Sequence, residues 1–262
     1  MFNAHSVGNK ADCISSWISD ERLSLVAIVE TWHDGVDSPR LAACAPPGYN
    51  YVERARTRSP LSASDMTTNH GGVSLFYRSE LHPRRVSLTE YTTMELVCVS
   101  LHCAVGINAL VIVVYRPPPA PSCLFFDELA DLLERTATYS SLMLVGDLNL
   151  HLDVDDDADI VKFELLVSSF NLVQHVTGPT QVAGHLLDVV LTRCELLYVP
   201  LVDVSPPGGL SDHSLIVCTF DLPSTRQHTV ARNRRCWRSL DMDAFKADLG
   251  EFVAGAVSTR RR

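Results

Sequence analysis

No stretch of apolar residues in this chain approaches the ~18 that a membrane-spanning helix requires, so no membrane partner is expected. Met1 and Phe2 run directly into polar residues, without the charged and apolar regions of a secretory signal. The eight cysteines are scattered and include no Cys-x-x-Cys pair or zinc-type spacing. They are expected to be reduced thiols of a cytosolic or nuclear protein. Cys98 and Cys103 stand an odd distance apart, which places them on opposite faces of one strand. Ser6, Ser211 and Ser214 lie near Asp or His, but no Gly-x-Ser-x-Gly elbow accompanies them, so water suits the chain better as nucleophile than a covalent serine. The acids Asp153, Asp155, Asp156, Asp157 and Asp159 lack the spacing and terminal Glu of an EF-hand. They read as a solvated loop that caps the following helix. Basic residues are in deficit, 22 Lys and Arg against 31 Asp and Glu, and a net charge of −9 weighs mildly against nucleic-acid binding. Local clusters at Arg54, Arg56 and Arg58, and at Arg232, Arg234 and Arg235, run the other way.

What is present is an α/β pattern. A length of 262 residues, 46% of them hydrophobic, suffices for one large domain with a sizeable core. Val7, Ala11, Ile14 and Ile18 have helical spacing, as do Phe125, Leu129 and Leu132 or Leu133, and Ile160, Phe163, Val167 and Phe170. Strand-like runs lie near 24–30, 72–77, 95–103, 108–115, 142–147, 186–192 and 214–220. Residues 57–70 read as a polar loop, and Pro206-Pro207-Gly208-Gly209 as a turn. After Pro223 the chain becomes polar and basic, with a last amphipathic segment from Met242 to Val253. The expected division is a domain over 1–222 and a basic linker with a helix over 223–262.

The most informative segment is Leu142-Met143-Leu144-Val145-Gly146-Asp147-Leu148-Asn149. Its apolar run is too short for a helix and reads as a strand buried on both faces. Side chains two apart share a face, so Asp147 and Asn149 are expected to emerge together where the strand leaves the core. Burying an ionised Asp costs several kcal/mol unless it has a partner, so Asp147 calls for a reason. Other apolar runs end or begin alike. Leu25–Val29 stops at Glu30, Val111–Val114 stops at Tyr115, and Leu215–Phe220 follows Ser211-Asp212-His213. Glu30, Tyr115, Asp147, Asn149, Asp212 and His213 can therefore gather on one rim as a hydrolytic site.

The ordered set Asn3-Ala4-His5-Ser6-Val7-Gly8-Asn9-Lys10, Glu30-Thr31-Trp32, Gly71-Gly72-Val73, Tyr115-Arg116-Pro117-Pro118, Gly146-Asp147-Leu148-Asn149, Gly184-His185-Leu186-Leu187-Asp188 and Ser211-Asp212-His213-Ser214 resembles the endonuclease/exonuclease/phosphatase superfamily. Within it the likeness is to the endonuclease domain of LINE-type (non-LTR) retrotransposons, over roughly residues 1–222. The resemblance implies a four-layer α/β/β/α sandwich of two facing mixed sheets, and a Mg²⁺-dependent endonuclease, with Mn²⁺ able to replace Mg²⁺. It implies DNA as partner, nuclear action, a reverse transcriptase domain in a full-length element and a monomer. By the same likeness Glu30 is the main metal ligand, and Asp147 orients or deprotonates water. Asn149 holds water and phosphate, while Asp212 is a second acid near the metal. His213 bonds the scissile phosphate, Asp188 holds His213, Tyr115 touches the phosphate, and Asn3 supports the metal shell or the water. His102, His151 and His185 are set outside this core.

Two departures bear on that reading. The chain starts two residues before Asn3, where the family usually has most of a first strand, so a loosened edge is expected there. It also ends soon after the endonuclease region. Alternatives are a phosphoesterase acting on a small-molecule or lipid phosphoester, and an inactive remnant that binds nucleic acid or protein.

Overall fold

The computed structural model describes residues 1–56, 70–104, 107–118, 121–154, 156–194, 201–206, 209–219, 241–247 and 249. The expected loop at 57–70 (save His70), part of the turn at 206–209, Arg58, Asp155 and the arginines at 232–235 lie outside those residues. The chain divides into two compact units, Met1–Thr225 and Arg226–Arg262. In the second, residues 242–247 are helical, and Asp241 caps them by accepting from the Asp243 and Ala244 amides.

In the first unit, β1 (Phe2–Asn3), β2 (Leu25–Val29), β3 (Tyr49–Arg54) and β4 (Val73–Arg78) form a sheet in the order β1-β2-β4-β3. A second sheet comprises β5 (Arg84–Arg85), β6 (Glu95–Ala104), β7 (Ile107–Tyr115), β8 (Ser141–Asp147), β9 (Val173–Gln174) and β10 (Asp188–Cys194). Its order is β5-β6-β7-β8-β10-β9, with β7 and β8 parallel and the other pairs antiparallel. β11 (Leu201–Ser205) and β12 (Leu215–Thr219) make a hairpin. Met1 donates to the Ile216 carbonyl at 2.6 Å and accepts from its amide at 3.0 Å. That exchange is an antiparallel pair, so the hairpin continues the edge of the first sheet.

Side-chain alternation builds the layers. Leu96, Cys98, Leu110, Ile112 and Val114 pack with α3 (Cys123–Arg135) and α4 (Ala158–Ser169). Val97, Val99, Cys103, Val111 and Val113, one position out of step, meet Ala27, Val29, Val73 and Leu75 of the facing sheet. Phe2, Val26, Ile28 and Phe76, from the outer face of the first sheet, pack with Ile14 and Ile18 of α1 (Ala11–Asp20) and Leu41 of α2 (Pro39–Ala43). The result is the α/β/β/α sandwich, with one core between the sheets and one under each helical layer. Cys98 and Cys103 do fall on opposite faces, and all six cysteines with described side chains are free. Asp157 caps α4 by accepting from the Asp159 and Ile160 amides. Among the described residues no helix is long and apolar enough to cross a membrane.

Candidate active site

One row of residues crosses the second sheet at its rim. Glu95, Tyr115, Asp147 and Asp188 are successive partners in register across β6, β7, β8 and β10. The residues two positions inward, Val97, Val113, Val145 and Val190, all lie in the core between the sheets. Alternation therefore aims the row into the same space. Asp147 and Asp188 are 0% exposed and Tyr115 2%. Gly146 lets β8 close on β7 here. Its φ is +153°, and a Cβ would sit 1.7 Å from the Val114 carbonyl oxygen.

The first sheet supplies the opposing wall. Asn3 pairs in register with Val29 and so faces inward. Its Nδ2 donates both to Glu30 Oε1 at 3.0 Å and to Asp147 Oδ2 at 2.8 Å, joining the two sheets through one amide. Strict alternation would send Glu30 to the opposite face from Val29. Its left-handed φ of 50° turns it back, where it also accepts from Tyr115 Oη at 2.9 Å and Trp32 Nε1 at 3.3 Å.

His213 enters on the segment leading to β12, in an isolated bridge with Gln181. Its Nδ1 is 2.8 Å from Asp188 Oδ2 and its Nε2 3.8 Å from Asp147 Oδ2. Burial opposes charge on His213, but the Asp188 hydrogen bond and the charges of Asp188, Asp147 and Asp212 outweigh it, pushing the imidazole up to about 9. Burial, then the neighbouring Asp188 charge, raises Asp147 out of the ordinary carboxylate range. Burial and then the Glu30 charge hold the Tyr115 phenol protonated.

Asn149 departs from the expected geometry. The strand ends at Asp147, and Asn149 takes a left-handed φ of 49°. Its backbone amide donates to Asp147 Oδ1 at 2.8 Å, while its side-chain Nδ2 donates to the Arg116 carbonyl at 2.8 Å. The pair is thus linked through main chain rather than by a shared strand face. Asp212 also stands apart from the buried row. It accepts from Gln181 Nε2 at 3.2 Å and Ser211 Oγ at 3.3 Å and lies 3.5 Å from His5 Nδ1. Arg54 and Arg56 do not make a free basic patch, because Glu90 and Glu95 pair with them.

Several residues at the site were given no role from the sequence. Buried Arg116 holds the Asn149 carbonyl at 2.7 Å, and Thr180 Oγ1 accepts from the Leu187 and Asp188 amides. Trp32 stacks on His70 at 4.3 Å and 8° and lies 4.9 Å from His5, an aromatic wall beside Glu30. Arg116 and Trp32 do fall in quoted motifs, Tyr115-Arg116-Pro117-Pro118 and Glu30-Thr31-Trp32, whereas Thr180 falls in none. Thr180 and Trp32 sit in irregular segments without periodicity.

The donor set fits a hard divalent cation. Asp147, Asp188 and His213 bring ligand atoms within 4.8 Å of one another. Without a cation the two carboxylates favour the protonated imidazole, which lets this trio share protons. Asp188 Oδ1 is buried without a hydrogen-bond partner, while its other oxygen holds His213. Glu30 accepts three donors, and a carboxylate offers about four lone-pair sites, which leaves room for a cation. Mg²⁺ needs only one or two carboxylates and keeps several waters. Asn3 turns its NH₂, not its oxygen, toward the carboxylates, and its Oδ1 accepts from the His5 amide.

A two-sheet sandwich with buried carboxylates, a phenol and an Asp-bound histidine at one rim defines a hydrolytic class of nucleases and phosphoesterases. The model of the endonuclease/exonuclease/phosphatase family matches residues 2–213, and the chain belongs to that family. No curated protein matches the chain. Among solved structures it is similar to the human Nocturnin catalytic domain with bound sulfate anion, at TM-score 0.60 and 18% identity, over 84% of this chain and 91% of that one. It is similar to an AP endonuclease from Archaeoglobus fulgidus, at TM-score 0.58 and 18% identity, over 84% and 98%. An endonuclease/exonuclease/phosphatase family protein from Leptotrichia buccalis C-1013-b aligns at TM-score 0.58 and 14% identity, over 84% and 98%. At these identities the likeness concerns the fold.

Proposed function

We propose that the protein nicks DNA by water attack on a phosphodiester, leaving 3′-hydroxyl and 5′-phosphate ends. The observation that carries this reading is the row of Tyr115, Asp147 and Asp188 facing Asn3 and Glu30, with His213 between the two aspartates. Asp147 receives the proton of the attacking water. Its raised pKa suits a base working near neutral pH. Asn3 and the Asn149 amide fix its two oxygens. Asp188 accepts a hydrogen bond from His213 Nδ1–H, which leaves Nε2–H to donate to a phosphate oxygen and steady the charge that develops there. Tyr115 stays a phenol and can donate at the same phosphate. The water oxygen bonds to phosphorus, the P–O3′ bond breaks with its electron pair on the 3′ oxygen, and that oxygen takes up a proton from bulk water while Asp147 releases its own to solvent. Mg²⁺, or Mn²⁺ in its place, would be held by Glu30 and would stabilise charge on the phosphate and leaving group. Asp212 and Asn3 belong to this role only by resemblance.

The choice of leaving oxygen rests on the motif likeness to non-LTR retrotransposon endonucleases, because a reverse transcriptase needs a 3′-hydroxyl to prime synthesis. In that setting the protein works as a monomer in the nucleus, beside a reverse transcriptase domain. Supercoiled plasmid should be nicked with Mg²⁺ and spared with EDTA, and the nicks should be extended by DNA polymerase and sealed by ligase directly. Equal nicking with EDTA overturns the mechanism. Nicks with 3′-phosphates overturn the priming reading, and hydrolysis of lipid or small phosphoesters without plasmid nicking overturns DNA as substrate.

A further inference from the structure

Three side chains outside the catalytic row converge at its outer flank. His151 lies two residues past Asn149, and His185 three residues before Asp188. With Asp153 they present two imidazoles and a carboxylate whose ligand atoms all lie within 4.8 Å of one another. We propose that His151, Asp153 and His185 form a second metal site, for a divalent cation of the zinc class.

The main chain assembles this trio independently of its side-chain contacts. The Leu152 amide donates to the Leu186 carbonyl at 3.0 Å, and the Val154 amide to the His151 carbonyl at 3.0 Å. On the other segment the Thr180 amide donates to the His185 carbonyl at 2.8 Å. Asp153 Oδ1 accepts from the Leu186 amide at 2.9 Å, which turns Oδ2 toward His185 Nδ1 at 3.1 Å. Such outer hydrogen bonds are what orient a metal-ligating carboxylate. The imidazole rings meet edge-on, with centroids 4.3 Å apart and planes at 78°.

Zinc bonds to N and O of about 2.0–2.2 Å put tetrahedral donors roughly 3.4 Å apart. Small rotations of the partly exposed side chains reach that spacing, and their exposure gives an ion a path in. The donors also discriminate. The inner site offers carboxylate oxygens, which suit Mg²⁺, whereas two imidazoles favour Zn²⁺, Co²⁺ or Ni²⁺. Three protein ligands leave a fourth position for water. A cation here would tie the chain leaving β8 to the chain entering β10, the strands that end and begin at Asp147 and Asp188.

The test uses the whole chain without an affinity tag. Cobalt(II) is titrated into metal-free protein in excess Mg²⁺, and the visible absorption of tetrahedral cobalt is followed. The expected result is saturation at one equivalent and loss of the signal when Zn²⁺ is added. The signal should vanish in His151→Ala and in His185→Ala, and persist in Glu30→Gln. Lowering the pH from 7.5 to 5 should weaken binding at least about tenfold, because the histidines must be neutral to ligate. In wild-type protein, Zn²⁺ should shift the imidazole NMR signals of His151 and His185, a readout that needs no variant to fold. No cobalt absorption, absorption surviving in both histidine variants, or unmoved imidazole signals overturns the site. None of these readouts depends on nuclease activity, so the two proposals fail separately.

Discussion

At the scale of single residues, Asp147 carries the heaviest demand, since it is buried beside a second carboxylate and bonded from both sheets. Asp147→Ala removes the proposed base and His213→Ala the proposed phosphate donor. Loss of one preorganised group costs about 10²–10³ in rate, so each folded variant should nick plasmid at least about tenfold more slowly. Full activity in folded Asp147→Ala means the reacting atoms lie elsewhere. Proton linkage gives a separate readout. Asp147 has a folded pKa above its unfolded value, so its contribution to metal-free stability is complete below about pH 4 and is lost as pH rises toward the folded value. The His213 contribution is likewise complete below about pH 6.5 and lost as pH rises through about 9. The buried Met1 amine is shifted down by burial and acts oppositely, so wild type and Asp147→Asn must be compared. In EDTA, the melting temperature of the variant relative to wild type should climb from pH 5 to pH 8. An amide facing the Asn3 NH₂ adds only a pH-independent offset. A flat difference means Asp147 titrates normally. Asp147 and Tyr115 were legible because each ends a short continuous apolar run, whereas Asp188, inside such a run, was reached only through the family resemblance. The turn at Glu30 and the main-chain role of Asn149 were not legible, because left-handed φ at non-glycine residues leaves no trace in periodicity.

At the scale of elements, the long buried strands and the helices α1, α3 and α4 could be read from the sequence, since each repeats one face against a core. β3 could not. As an edge strand it is half-buried and carries Asn50, Glu53 and Arg54. β1, β5 and β9 have two residues each, too few for any period, and α2 buries only Leu41. The end of β8 depends on Gly146. Gly146→Ala forces a Cβ onto the Val114 backbone, and overpacking of this kind costs about 1–3 kcal/mol or more. Urea unfolding should show at least that loss, with nicking falling further than stability alone explains. At the far end of the same layer, Asp157→Ala removes the α4 cap. It should cost about 1 kcal/mol while leaving the nicking rate of folded protein unchanged.

At the scale of the whole molecule, the edge expected to be loose is joined: Met1 pairs with Ile216, so the strand bearing Asn3 and the segment bearing His213 are neighbours. Beyond that single pair, Met1, Leu25, Ala27, Ile216 and Cys218 line an apolar cavity. Four or five apolar residues placed ahead of Met1 should extend β1 along β2 and fill it. Each buried aliphatic side chain adds roughly 1.5–3 kcal/mol before entropy is subtracted. At about 2–4 °C per kcal/mol for a domain this size, calorimetry should show a rise of several degrees. No rise means the cavity does not accept a strand.

The Asn3 amide that joins Glu30 to Asp147 has a consequence for how the enzyme would fail. Partial opening, in which one region loosens while another persists, is ordinary behaviour for folded chains. Here the proposed reacting groups are divided between the two sheets, so a slip along their seam separates the proposed water base from the proposed metal ligand before either sheet has lost its own ladder. Turnover would then stop at a lower temperature than the one at which circular dichroism records lost strands, and the gap between those temperatures would measure how firmly the sandwich is closed.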